Sequence, residues 1–297
     1  MIKRNLYAPQ NNPYYIVSPP YTRLSAGIKV LHYLCHSLNI IGENAYMVSP
    51  QVNPNLRTPM LTQENINSHL GIGLNPIAVY PEIYHGNPLG TKTVVRYLLN
   101  KPGLLLGGPT SFDNQDILFS YHETFSTPEV PLNNLLYMPT VDRRVFHYDP
   151  YKHYERNKIV YYFGPYQDAD AEYPDLVNYL QSNAIQITSA YPSSHEEMAE
   201  LFRRSKICVS FHFSTVADEA LLCGCPVYYV STKYTGYLSN TEEIKVGGIS
   251  FGLDEESINL ARESIQRYVS SYDRLEDQFW DQLEYFVSVT QEDNAKE

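Results

Sequence analysis

The most chemically informative stretch of this 297-residue chain is KICVSFHFSTVADEALLCGCPVYYV, residues 206–230. An apolar strand-like run over 206–211 reaches Ser214-Thr215, where a helical pattern begins and continues to Leu222; Gly224-x-Pro226 then leads into a further apolar run over 227–230. A helix N-terminus presents unpaired N–H groups and the positive end of the helix dipole, so Ser214 and Thr215 would add two hydroxyls to a seat for a diphosphate. Glu219 stands one turn further in, where a carboxylate can accept two hydroxyls of a ribose. Such a seat needs no metal, because amides and dipole offset the anion's charge. The competing reading is an ordinary strand–helix–strand unit in which Ser214 is only an N-cap and Glu219 a solvated helix residue.

In an open parallel sheet, ligands bind outside the carboxyl ends of the strands. That rule selects the loops at 21–28, 81–91 and 122–127 in the first half, and at 164–170, 189–194 and 212–217 in the second. Gly27 and Gly164 join the nucleotide-binding set: without a Cβ the backbone can approach a phosphate closely, although a glycine also serves a turn alone. Ser189 and Tyr191 follow a strand, so a backbone group and a ring are available to hold a base; Tyr191 reads equally well as packing. Glu82 and His85 are the catalytic candidates, as general base toward an acceptor hydroxyl or as assistance to the departing nucleotide, against a structural or solvated role. His122 and Glu123 are the reserve pair. Asp113 and Asp116 stand in a Ser/Phe/Asn context without a ligand cluster, so no metal and no cofactor are expected.

The elements that must position these residues alternate as in a parallel sheet with helical crossovers. In the first half, strands are expected at 14–18, 45–48, 77–80 and 116–121. One helix carries Ile28, Val30, Leu31, Leu34, Cys35 and Leu38 and ends at Gly42. A second is expected to carry Val94, Val95, Tyr97, Leu98 and Leu99 and to stop at Pro102-Gly103. After a hinge-like stretch at 139–157, strands are expected at 159–163, 184–188, 206–211 and 227–230, with helices at 176–180, after Ser194 and at 215–222. Ser194 with Glu197 three residues on is a capping box. A long amphipathic helix over 257–289 closes the chain, with Leu260, Ile265, Tyr268, Val269, Leu275, Phe279, Trp280, Leu283 and Phe286 as candidate buried positions. The expected organisation is α/β, two Rossmann-like doubly wound domains facing a cleft: residues 1–150, residues 151–256, and a terminal helix over 257–297 packing back toward the first.

Composition removes several classes. With 43% hydrophobic and 19% charged residues, disordered and coiled-coil readings fail. Lys and Arg number 10 against 9 Asp and Glu over 1–150, 8 against 12 over 151–253, and 4 against 12 over 254–297, so the acidity gathers at the end and no basic stripe marks a nucleic-acid surface. The longest apolar run, 220–230, is broken by Gly224 and Pro226 and is too short to span a bilayer. The first residues carry basic side chains without an apolar stretch behind them, so no secretory leader is expected. Cys35, Cys208, Cys223 and Cys225 lack zinc-site spacing and read as reduced thiols of a cytoplasmic protein. The 27 tyrosines suit sugar recognition, but they fill cores as readily.

The second half resembles the donor-binding domain of GT-B glycosyltransferases, the bacterial polysaccharide type of glycosyl transferases group 1. The resemblance rests on Glu219 followed by Ala220 and then Gly224-x-Pro226-Val227. In the first half, Gly27-Ile28, Leu31-His32-x-Leu34 and Leu38-Asn39 are similar to the glycine-rich loop and first helix of that class. Residues 80–103 and the junction Tyr137-Met138-Pro139-Thr140-Val141-Asp142 also look like its segments. Two positions depart from the pattern: Phe211 stands where retaining members carry another Glu, and 164–172 contains none of the expected basic residues. Arg23, Lys29, Lys92 and Arg203 are the candidates for that charge. The resemblance implies metal-independent transfer of a hexosyl or deoxyhexosyl group from a nucleotide-sugar donor to a glycan or lipid-linked glycan acceptor in polysaccharide biosynthesis, by a cytoplasmic protein that contacts membranes at most peripherally. The alternatives are a GT-B-fold nucleotide-sugar epimerase and a catalytically degenerate sugar-nucleotide or glycan-binding module.

Overall fold

The computed structural model describes residues 10–149, 151–164, 166, 168–235 and 247–294. Pro165 and Gln167 of the expected 164–170 loop, and Lys3 and Arg4 of the basic start, lie outside the described residues. The chain divides into two compact units. The first comprises residues up to Thr22, Gly27–Met138 and Gln278–Glu297; the second comprises Arg23–Ala26 and Pro139–Asp277. The division thus falls at 138/139, ahead of the expected 150/151, because 140–146 already packs with the second unit.

The first unit is built on a five-stranded parallel sheet in the order β2-β1-β3-β4-β5. Its strands are β1 (Tyr14–Val17), β2 (Ala45–Val48), β3 (Ile77–Pro81), β4 (Thr93–Leu98) and β5 (Ile117–Ser120). Helix α1 (Ala26–Ile41) crosses from β1 to β2, and α2 (Gln63–Gly71) precedes β3. Both faces of the sheet are covered. Tyr14, Ile16, Val79, Val95, Tyr97 and Phe119 enter one core with α1, while Val17, Ala78, Tyr80 and Val94 form a second cluster.

That double burial explains the one misread element. Residues 93–98 form strand β4, not the expected helix, and all six side chains are buried. A strand covered on both faces shows no polar alternation, so its apolar spacing mimics a helix while Thr93, Val94, Val95 and Tyr97 favour the pleat. Helix α2 had no place among the expected elements because its apolar content is low; Thr62 and Asn65 cap it reciprocally.

The second unit holds a four-stranded parallel sheet in the order β7-β6-β8-β9. The strands are β6 (Lys158–Tyr162), β7 (Ile185–Gln186), β8 (Ser205–Ser210) and β9 (Val227–Tyr229). Between them run α3 (Ala169–Glu172), α4 (Pro174–Asn183), α5 (His195–Arg203) and α6 (Thr215–Leu222). Ser194 caps α5 by accepting the Glu197 N–H at 3.1 Å, and the Glu197 carboxylate reaches back to the Ser193 N–H and hydroxyl, one residue before the expected partner.

Helix α7 (Glu255–Asn294) is longer than the expected 257–289. Its first half packs within the second unit through Ile258, Ala261, Ile265 and Tyr272; its last turns bury Phe279, Leu283 and Phe286 in the first-unit core. Leu260 and Trp280, expected inside, are 61% and 45% exposed. Both fall off the stripe through 258, 261, 265, 272, 279, 283 and 286, and Phe279 takes the inward direction that its neighbour cannot share. Tyr14 and Thr290 join their hydroxyls at 2.7 Å, tying β1 to the helix end.

Candidate functional site

Helix α6 begins as the sequence suggests, but its first residues do not satisfy one another. Ser214 occupies the N-cap with extended backbone (φ −159°), yet its hydroxyl caps nothing; the Ala217 N–H bonds the Ser214 carbonyl instead, at 3.0 Å. The Ser214 and Thr215 hydroxyls are buried without a hydrogen-bond partner, and the two residues are 5% and 3% exposed. Beside them, neither ring nitrogen of His212 completes a well-formed hydrogen bond. Burial lowers the His212 pKa to about 4, only partly opposed by the neighbouring Phe213 backbone, so the ring is neutral near pH 7. Each unsatisfied buried polar group costs on the order of 1–3 kcal/mol, and native chains keep few of them. Here four donor or acceptor atoms converge on one helix N-terminus, where an anion accepting from all of them would be bound by the amides as well.

Glu219 lies one turn inside, 2% exposed, so it is not the solvated helix residue of the competing reading. Burial, with the Glu219 carboxylate adding to it, raises the pKa of the Tyr162 phenol at the end of β6 to about 12. The far end of the helix is fixed by Gly224, whose N–H reaches Leu221 O at 2.9 Å while Cys225 N–H reaches Ala220 O at 2.9 Å. This double closure needs a left-handed residue, and Gly224 has φ +75°. A Cβ there would stand 2.7 Å from the Tyr148 ring. Gly164 is equally constrained, with φ +63° and a hypothetical Cβ only 2.9 Å from His212 Cβ, so this glycine is what lets the β6 loop close on the His212 loop.

Phe211 is fully buried, its ring 4.9 Å from Phe163 and 6.1 Å from Tyr166, so the position eight before Glu219 is a core residue. Ser189 is exposed and Tyr191 is 41% exposed, in a turn where Thr188 Oγ1 accepts the Ala190 and Tyr191 N–H groups at 3.2 and 3.1 Å. The ring of Tyr191 is therefore not a core residue. All four cysteines are buried free thiols, and burial pushes Cys208 and Cys223 up to about 12.

In the first unit the predicted residues are tied to their own backbone. Glu82, 3% exposed, accepts the Leu99 N–H at 3.0 Å, linking the ends of β3 and β4; burial raises its pKa to about 7 against the opposing pull of backbone N–H groups. His85 is exposed, with Nε2 3.0 Å from Gly107 O. His122 caps a short 3-10 turn by accepting the Thr124 N–H at 3.1 Å, and Glu123 opens that turn. A Cβ on Gly27 would meet Leu99 at 3.4 Å, an ordinary contact, so packing does not demand glycine there.

Arg96, missed by sequence reasoning, is the organising residue. It is buried against Asp116 at 2.6 Å and donates to Tyr84 O at 3.1 Å and Gly86 O at 2.5 Å. Asp116 is thus half of an ion pair. Asp113 accepts the Gln115 N–H. Both aspartates line a cavity of about 670 Å³ beside β5 that includes none of the other predicted residues. No group of three His, Cys, Asp or Glu that could hold a metal occurs among the described residues.

No family model matches this sequence. No curated protein matches it either. Solved structures match in fold. The glycosyltransferase SnogD from Streptomyces nogalater aligns with a TM-score of 0.52 over 95% of this chain and 100% of its own, at 11% identity. WaaG, a glycosyltransferase involved in lipopolysaccharide biosynthesis, gives 0.50 over 93% and 99% at 9% identity. The glycosyltransferase VinC, solved in complex with DTDP, gives 0.50 over 96% and 100% at 10% identity. Among the described residues no helix is long and apolar enough to cross a membrane. At such identities the likeness speaks to architecture, and the architecture is GT-B: two Rossmann-like units on parallel sheets.

Proposed function

We propose that this protein is a glycosyltransferase that moves a hexosyl or deoxyhexosyl group from a nucleotide sugar to a hydroxyl of a glycan or lipid-linked glycan, without a metal ion, in the cytoplasm. The observation that carries the reading is the unsatisfied cluster at the start of α6: His212, Ser214 and Thr215, with Glu219 buried one turn in. In the reaction an acceptor oxygen bonds the anomeric carbon, the bond from that carbon to the phosphate oxygen breaks, and the nucleoside diphosphate leaves with the electron pair. Negative charge grows on the departing phosphate, where preoriented donors act most strongly. The α6 amides, two hydroxyls and a neutral imidazole N–H supply such donors, and Glu219 accepts the ribose hydroxyls. Ser189 and Tyr191 are assigned to the base, and Gly27 and Gly164 to close backbone approach.

The acceptor proton is assigned to the first unit. Glu82 is held by Leu99 and its loop, so His85 is the stronger of the two candidates. With Nε2–H given to Gly107 O, its Nδ1 is the basic nitrogen.

The test is calorimetric binding of UDP, GDP, CDP and dTDP to wild type and Glu219→Ala, followed by nucleotide release from the matching sugars with and without acceptor. Loss of two hydroxyl bonds to a charged carboxylate should weaken binding by about tenfold or more with the melting temperature of the unliganded protein retained. Unchanged affinity would remove Glu219 from the site. Phe211 in the core, where a second acid is usual, favours the binding module as the alternative, and binding without turnover would select it. An isomerised sugar without acceptor would select the epimerase.

A further inference from the structure

We infer that Arg23 is the cationic ligand of the nucleoside diphosphate, replacing the basic residue that the β6 loop lacks; the inference rests on the nucleotide-sugar reading above. Residues 164–172 contain no Lys or Arg. The other candidates are committed or misplaced. The Arg203 guanidinium donates to the carbonyls of His147 at 3.1 Å and Val145 at 2.5 Å. Lys92 immediately precedes β4, at the amino end of its strand, whereas the ligand edge is the carboxyl one. Lys29 is 3% exposed inside α1 of the first unit.

Arg23 is different. Although it follows β1 in the chain, residues 23–26 pack within the second unit. The Leu24 carbonyl lies 3.5 Å from the Tyr162 hydroxyl at the end of β6, and the Arg23 Nη2 donates to the Pro192 carbonyl in the loop after β7. Residues 23 and 24 therefore join the loop after β7 to the end of β6, and β8, which runs into His212 and Ser214, is the next strand on the other side of β6. Neighbouring strands are about 4.8 Å apart, so β8 lies two spacings from β7, a span that a guanidinium and a bound diphosphate cover together. Its Nη1 is buried without a partner. The carboxylate that feels its charge, Glu197, already holds the Ser193 N–H and hydroxyl at 2.7 Å each. A buried, unspent guanidinium N–H at the same carboxyl edge of the sheet as unspent hydroxyls and an imidazole fits an anion with several oxygens, and its fork can hold two of them.

The test uses the whole protein and UDP, GDP, CDP and dTDP, each with its nucleoside and monophosphate, by isothermal calorimetry on wild type, R23A, R23Q and R23K. R23Q keeps a polar hydrogen-bonding side chain without the charge if R23A fails to fold. The expected result is that R23A and R23Q weaken the tightest diphosphate by about tenfold or more, leave the nucleoside within about twofold, and flatten the salt dependence, while R23K recovers part of the loss. Diphosphate affinity equal to wild type overturns the inference and leaves the nucleotide reading standing. Equal losses of nucleoside and diphosphate also overturn it, since they mark Arg23 as a support for the Pro192 loop. A wild type that binds none of the nucleotides ends the nucleotide reading itself.

Discussion

The two units treat buried polar groups in opposite ways. In the first, each nitrogen of Arg96 is bonded, to Asp116 and two carbonyls, Glu82 to an amide, and His122 to its own turn. In the second, the ring nitrogens of His212 and the hydroxyls of Ser214 and Thr215 are buried without a well-formed hydrogen bond. Both arrangements follow the same rule, that seclusion of a polar group is expensive unless a partner is supplied. What differs is where the partner comes from. A group answered by its own chain holds loops in place, and removing it breaks the fold. A group left unanswered at a helix N-terminus is costly until a ligand arrives, and removing it spares the fold while weakening binding.

The strongest way to break this contrast is Arg96→Ala. The substitution leaves Asp116 secluded and charged, frees the Tyr84 and Gly86 carbonyls, and takes away the cation over the Tyr80 ring at 5.0 Å. Removing one partner of such a pair costs about 3–5 kcal/mol. Urea denaturation should show that loss, and the 82–91 loop should become protease-sensitive. A loss under about 1 kcal/mol would mean that the first-unit network is not what holds its loops.

The contrast also explains what could be read from the sequence. Helix α6, its capping position and the Gly224-x-Pro226 step into the next strand were legible because they are local, all within 25 consecutive residues. The parallel order of both sheets was legible from alternation of apolar runs with loops. Residues 93–98 were not, because burial on both faces erases the period that distinguishes strand from helix. Arg96 was invisible, since its partners lie 10 to 20 residues away and nothing in a run of Val, Val, Arg and Tyr marks a secluded charge. The spare state of Ser214 was equally hidden: sequence identifies an N-cap, but only geometry reveals that the hydroxyl caps nothing. Arg23 stood among four cations until its bond to the Pro192 carbonyl, and that of the following Leu24 carbonyl with the Tyr162 hydroxyl, separated it from the rest.

A second test uses pH. The Glu82 pKa near 7 in the fold stands above its ordinary 4.5, so the native state binds the extra proton between those values. Stability contributed by protonated Glu82 is full below 4.5 and is lost as pH rises through 7, on the order of 3 kcal/mol. His212 has the reverse sign: its pKa falls from 6.5 to about 4, so the unfolded state binds more protons in between. Its contribution is present above 6.5 and lost as pH falls through 4, by a similar amount. Across pH 4.5 to 6.5 the two slopes oppose each other. Glu82→Gln should leave stability rising with pH over that window, and His212→Asn should leave it falling. Variants that tilt in the same direction would show that one of these groups is not secluded as described.

The smallest effect is the most discriminating, because it compares the same residue type at two helix starts of one unit. Ser194 caps α5 through the Glu197 N–H at 3.1 Å, whereas Ser214 at the start of α6 makes no such bond. Ser194→Ala should cost about 1 kcal/mol, the usual value of a lost N-cap. Ser214→Ala removes a secluded hydroxyl with no partner, so its cost should be about zero or the change slightly stabilising. With a tight nucleoside diphosphate present the order should invert: Ser194→Ala keeps the ligand-induced rise in melting temperature, and Ser214→Ala loses part of it, because stabilisation by a ligand scales with its affinity for the fold. Equal costs at the two serines without ligand would mean that Ser214 caps its helix in solution, and α6 would then begin like any other helix.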